Sequence, residues 1–234
     1  MRTTFASVRS ERARPALELV NTSQPALVEQ MVTGQAGITA SEAAAAVGCD
    51  PTRSAMDLWR EKTGRQPEPS HPAPHDETHP GYWKTLLEPL LAAVYTKRTG
   101  RRLRRVNHVL CHPSHPWMQA HMGWEVMDAP GAQILQCLSV GENEMPWWRD
   151  GVPAHLRLNV QHLLAVTGAS AADMAVLMCG QALQIHRVER DESLIKQLIL
   201  RERNFWRYVE LNEPPPGALA TPRLTGLCGG HGSS

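Results

Sequence analysis

The sequence predicts an α/β (α+β) layered domain, and three observations lead to it. A meander of three strands, from about Leu103 to Ser139, falls between helical stretches. A helix then separates it from two further strands and a closing helix, an order that stacks helices on the faces of a sheet. An apolar content of 42% over 234 residues is enough for a substantial core. The expectation is a central mixed sheet of about five strands flanked by helices.

In chain order, residues 1–23 carry mixed charge and weak periodicity and read as a poorly ordered lead-in. A single domain is expected over 24–213, opening with a short helix from Gln24 to Met31. After the small-residue run 34–41, Ser41 is placed as the N-cap of a helix from Glu42 to Val47. Gly48 ends it. Asp50-Pro51 starts the next helix, which carries Met56, Leu58 and Trp59 and stops at Thr63-Gly64. Residues 65–80 form a loop rich in Pro and His.

Tyr82 to Thr99 is helical, with an apolar stripe of Leu86, Leu87, Leu90, Leu91 and Val94, and Gly100 caps it. Leu103 to Cys111 is the first strand, and residues 112–116 turn the chain. The stretch from Met118 to Ser139 is a hairpin around Pro130-Gly131, whose second strand is the apolar run from Gln133. Residues 142–151 are expected to loop. Pro153 to Thr167 is a helix, Ala171 to Cys179 and Ala182 to Val188 are strands, and Asp191 to Leu211 is the last helix. Its stripe is Leu194, Leu198, Phe205 and Val209. Residues 214–234 form a flexible tail.

Composition limits function. A net charge of +1 gives no global signature of nucleic-acid binding, so any basic surface is local. No apolar run approaches the ~18 residues of a membrane span, and a cytoplasmic location with no membrane contact is expected. Five cysteines lack CxxC spacing, and Cys111, His112 and His115 have no second pair at zinc-finger spacing. The strongest local positive field is Lys97-Arg98, Arg101, Arg102, Arg104 and Arg105. It reads equally as a phosphate-binding strip or as a solvated face with cations at a helix C-terminus. Trp147 and Trp148 suit either base stacking or a cap on the core.

Several runs, in order, resemble the YqaJ-type viral recombinase family, relatives of the lambda-type exonuclease. They are Gly37-Ile-Thr-Ala-Ser-Glu-Ala-Ala44, the run 54–64 (Ser-Ala-Met-Asp-Leu-Trp-Arg-Glu-Lys-Thr-Gly), and Thr85-Leu-Leu-Glu-Pro89. The last matches a Gly-Thr-x-Leu-Glu-Pro motif with Lys84 in place of Gly. The runs 99–107, 112–118, 151–155, 160–168, 188–191 and 213–216 continue the match, which covers about residues 34–216. The resemblance implies a restriction-endonuclease-like core of the PD-(D/E)xK superfamily and processing of double-stranded DNA ends for recombination. It also implies Mg²⁺ or Mn²⁺ if the site is active, a homo-oligomer, and a single-strand annealing recombinase as partner.

On the family's motif, Glu88 falls at the helix carboxylate and Gln161 at the late-helix glutamine. The family's Asp, Glu and Lys fall at Gly123, Gln136 and Leu138. Mg²⁺ is a hard ion that wants oxygen ligands, and Gln136 retains only a weak carbonyl. Each lost carboxylate removes about 4 kcal/mol of attraction per charge pair at ~4 Å and an effective dielectric of ~20. Glu88, Gln136 and Gln161 are therefore the catalytic candidates of a degenerate site. Ser41 corresponds to the serine that holds a DNA phosphate in lambda-type relatives, and Arg101, Arg102, Arg104 and Arg105 are the remaining DNA-binding candidates.

Three readings stay open at this point. The first is a DNA-binding homologue with weak or no cleavage. The second is an active exonuclease whose metal is held by Glu88 with Glu125, and with Asp128 near the turn. Strand residues two apart share a face, which would set Glu125 beside Gly123, although both carboxylates also read as solvated hairpin charges. The third is a protein-interaction scaffold without nucleic acid.

Overall fold

The computed structural model describes residues 37–65, 80–127, 129 and 133–216. The expected helix at 24–31, the lead-in, residues 66–79 of the Pro/His-rich loop, the hairpin turn itself and residues 217–234 lie outside the described residues.

Six strands form one mixed sheet. They are β1 (Ile38–Thr39), β2 (Leu103–His112), β3 (His115–Val126), β4 (Gln133–Val140), β5 (Ala171–Met178) and β6 (Ala182–Glu189). The helices are α1 (Ala43–Ala46), α2 (Ala55–Lys62), α3 (Pro80–Thr99), α4 (Ala154–Thr167) and α5 (Glu192–Glu210). The three-strand meander is as expected: β2, β3 and β4 run antiparallel in sequence. β4 then pairs parallel with β5 across the α4 crossover, and β5 pairs antiparallel with β6 through a turn with positive φ at Cys179 and Gly180. The two-residue β1, read from the sequence as loop, pairs parallel with β3.

Alternation along the strands sorts the core onto two faces. Leu135, Cys137 and Ala175 face α3, where they meet Leu91, Ala92, Tyr95 and Val126. Ile134, Val140, Met174, Val176 and Met178 face α4, where they meet Leu163, Leu164 and Val166. α5 lies outside α4 and closes a second shell with α1 and α2, through Leu158, Leu194 and Leu198 and through Leu58, Trp59, Phe205 and Trp206. The order is helix, sheet, helix, helix.

Local chemistry moves several expected boundaries. Ser41 is not an N-cap. Residues 40–42 form a 3-10 turn ahead of α1, and the Glu42 carboxylate accepts the Thr39 N–H at 2.8 Å. Asp50-Pro51 does not begin a helix either: the Asp50 carboxylate takes the N–H groups of Thr52 and Arg53, which makes a turn. α2 starts four residues later, at a reciprocal cap between Ser54 and Asp57. The expected loop at 142–151 contains a 3-10 turn, Glu142–Trp148.

α3 is rotated from its expected setting. Leu91, Ala92 and Tyr95 are buried, whereas Leu86 and Leu90 of the expected stripe are 55% and 58% exposed. This helix is apolar on more than one side, so polar bonds choose the inward face. The Tyr95 hydroxyl donates to Asp173 at 2.5 Å, and Glu88 accepts from the Trp124 indole at 2.9 Å. Positions 88, 91, 92 and 95 fall on one face at helical spacing.

Candidate functional site at the fork of the sheet

β3 is flanked on one edge by β2 and on the other by two strands in line. β1 holds Met118 and Gln119 of that second edge, and β4 holds Trp124, Glu125 and Val126. Residues 120–123 lie between them, and from Gln136 onward β4 follows β5 alone. The sheet therefore forks. In the fork sits a pocket of about 190 Å³ lined by Thr39, Ala40, Ser41, Lys84, Glu88, His121, Gly123, Leu135, Gln136 and Cys137.

Each lining side chain arrives by simple geometry. Lys84 and Glu88 are one helical turn apart on α3 and share a face. His121 and Gly123 are two apart on β3. Thr39 and Ser41 enter from β1 and the 3-10 turn, with their hydroxyls 3.2 Å apart. Glu88 is the only carboxylate in the lining, and its Oε1 accepts the Trp124 indole N–H. A Cβ at position 123 would lie 2.7 Å from Glu88 Oε1, so the carboxylate fills the space a side chain there would enter.

The electrostatics follow from burial and from these neighbours. Burial pulls the His121 imidazole below its ordinary value, Lys84 and Arg105 add to this, and Glu88 opposes it. Burial, helped by Glu88, pushes the Cys137 thiol up to about 12, which leaves it protonated and unreactive.

A divalent cation does not fit these residues. Gly123 offers no ligand, Gln136 offers a neutral amide, and Glu88 is engaged by an indole. Among the described residues no group of three His, Cys, Asp or Glu is placed to hold a metal, and that includes Cys111, His112 and His115. His112 and His115 instead stack at 4.6 Å between ring centroids. Burial and neighbouring cations lower His112 to about 4, and its neutral Nδ1 accepts the Ser114 N–H.

Of the sequence candidates, the fork brings together Ser41, Glu88, Gly123 and Gln136. Leu138, two residues past Gln136, packs on the α4-side core. Glu125 does not reach the pocket. Its carboxylate is ion-paired with Arg104, directly across on β2, and its expected partner Asp128 lies outside the described residues. Gln161 is also elsewhere. It is buried in α4, donates to the Glu189 carbonyl at 2.7 Å and accepts the Asp191 N–H at 2.9 Å, which ties α4 to the start of α5.

The basic run is largely spent on internal contacts. Arg101 bonds Asp173 at 2.9 Å and reaches the Tyr95 hydroxyl and Gln133. Arg105 lies over the Trp124 ring at 5.4 Å, and Arg102 is exposed. Trp148 is buried, and Trp147 meets His155 edge-on. Lys84, His121, Thr39 and Cys137 were not singled out as site residues. Spacing alone marks the first two, one turn before Glu88 and two residues before Gly123.

Comparison with known proteins agrees with this architecture. The family model for the YqaJ-like viral recombinase domain matches residues 33–170. The chain is 27% identical over 191 residues to the uncharacterized protein YqaJ of Bacillus subtilis (strain 168), covering 80% of this chain and 58% of that one. The fold is similar to that of the alkaline exonuclease LHK-Exo from Laribacter hongkongensis, with a TM-score of 0.61 at 20% identity over 79% of this chain and 93% of the exonuclease. It is also similar to a phage related exonuclease from Haemophilus somnus 129PT, with a TM-score of 0.55 at 12% identity over 75% and 94% of the two chains. Among the described residues no helix is long and apolar enough to cross a membrane.

Proposed function

The chain belongs to the YqaJ-like viral recombinase domain family, and from that membership we propose that it binds double-stranded DNA ends without metal-dependent cleavage. The observation that carries this reading is the composition of the fork. Phosphodiester hydrolysis by metals needs anionic oxygens to hold the ions, and the ions supply both the nucleophile and charge neutralisation. Here one carboxylate, Glu88, faces a glycine and an amide. No Mg²⁺ or Mn²⁺ is required by this function.

Glu125 does not support a relocated site, since its carboxylate is paired with Arg104 on β2. A pure scaffold role is less well supported, because the fork keeps hydroxyl, amide and ammonium groups converging on one pocket of the kind that holds a polar ligand. A single-strand annealing recombinase and a second copy of the chain are the protein partners consistent with family membership. The cytoplasm is the compartment where such DNA is met.

The test is incubation of pure protein with labelled linear duplex DNA and Mg²⁺ or Mn²⁺. A salt-sensitive gel shift with the duplex left intact is expected. Progressive digestion that is lost in Glu88→Ala would overturn the proposal in favour of an active exonuclease.

A further inference from the structure

We infer that the fork is an anion site, in which Lys84 neutralises a DNA phosphodiester without any metal. The inference rests on the DNA-binding reading above and names the group that this pocket holds.

Lys84 stands one turn from Glu88 on α3 and lines the same pocket. Glu88 is the one carboxylate of the lining and Lys84 the one ammonium. The lining is formally neutral at pH 7, with Lys84 against Glu88 and His121 uncharged. A lining without net negative charge gives a divalent cation no net attraction, and the Lys84 ammonium offers an anion a countercharge.

The remaining groups suit an oxyanion. Thr39 and Ser41 bring hydroxyls 3.2 Å apart. Glu88 is held aside by the Trp124 indole, while Lys84 is exposed and carries no ion pair among the described residues. Size selects the ligand further. About 190 Å³ is less than the several hundred Å³ of a pocket that encloses a whole small molecule. One backbone phosphate with its waters fits this volume. A contact to that phosphate reads the backbone and is independent of sequence.

The test is fluorescence anisotropy of a labelled linear duplex in EDTA over a range of salt concentrations, with each variant's fold checked by thermal melting. The wild type is expected to bind in EDTA as well as in Mg²⁺. Lys84→Gln should weaken binding on the order of fivefold at low salt and reduce the log–log salt slope by about 0.9, the loss of one phosphate contact. Lys84→Arg should restore both. Glu88→Gln should tighten binding, because it removes the opposing charge, whereas a metal-ligand role would make it weaken binding.

Wild-type affinity and slope in Lys84→Gln would overturn the inference and leave DNA binding intact. So would binding that requires Mg²⁺ and is lost in Glu88→Gln. A wild type that binds no duplex at all would overturn the function proposed above together with this inference.

Discussion

Replacing Gly123 with Asp would return a carboxylate to a place that now has room only for hydrogen. The new Cβ would begin 2.7 Å from Glu88 Oε1, well inside contact distance, so Glu88 must swing off the Trp124 indole N–H. Two carboxylates would then share the fork at roughly 4 Å, which is about 4 kcal/mol of repulsion at an effective dielectric of ~20. Glu88 is partly solvated and Lys84 is near, so about 1–3 kcal/mol survives screening. The lost indole hydrogen bond, partly replaced by water at this half-buried carboxylate, adds about 1 kcal/mol. At about 2–4 °C per kcal/mol for a chain of this size, the melting temperature should fall by about 4–16 °C in EDTA at pH 7.5.

The sign with pH follows from linkage. Mutual repulsion raises the folded-state carboxyl pKa, so the penalty is present above that pKa and is relieved as pH falls toward 4.5. Circular-dichroism melts at the two pH values measure this. Mn²⁺ should raise the melting temperature of Gly123→Asp combined with Gln136→Glu, and leave the wild type unchanged. A wild type stabilised by Mn²⁺ to the same degree, or a Gly123→Asp variant as stable as wild type in EDTA at pH 7.5, would refute the reasoning about this pocket.

Other outcomes follow from the polar core. Asp173→Ala strands the Tyr95 hydroxyl and two guanidinium groups, of Arg101 and Arg187. Both arginines are about a third exposed and can rehydrate in part, so the cost in a urea melt should be about 2–4 kcal/mol. His162 is fully buried, with Nδ1 at 2.8 Å from Glu202 and Nε2 donating to the Gln119 carbonyl. Burial pulls its pKa down, but Glu202 and these hydrogen bonds outweigh burial and raise it. Its contribution to stability is therefore full below pH 6.5 and is lost as pH rises through the folded value.

His112, lowered to about 4, acts in the opposite sense and costs stability as pH falls from 6.5 toward 4. Imidazole NMR should show His162 still protonated at pH 6.5 and His112 titrating near 4, and Glu202→Gln should abolish the first effect. Gly37→Ala sets a Cβ 2.4 Å from the Trp117 carbonyl oxygen, a backbone atom that cannot swing aside. A loss of about 1–3 kcal/mol in a denaturant melt is expected.

The strands and the long helices were legible because their signals are local. Alternation marks β2, apolar runs mark β4 and β5, Gly180 marks the β5–β6 turn, and Gly168, with φ of 67°, marks the end of α4. Four residues singled out in the sequence, Ser41, Glu88, Gly123 and Gln136, line one pocket. What the sequence could not reveal depends on partners far away in the chain. Arg101 reads as a surface cation until Asp173, 72 residues later, is known to lie beneath it. Glu125 and Gly123 are two apart on one strand, yet Arg104 draws Glu125 away. The inward face of α3 was hidden because its apolar residues allow two settings, and Tyr95 and Glu88 decide between them.

The same hairpin has a consequence for handling the protein. Among the described residues β2 lies at the rim of the sheet and is bonded along one side only, to β3. Such a rim is a template for strand addition by another molecule, and cations along it are a common guard against this. Arg104 and Arg105 stand on this strand, exposed despite their contacts with Glu125 and Trp124. Neutralising them removes the guard as well as two positive charges. Light scattering must therefore accompany any gel shift on such variants, because precipitation through an unguarded rim would mimic a lost affinity for DNA.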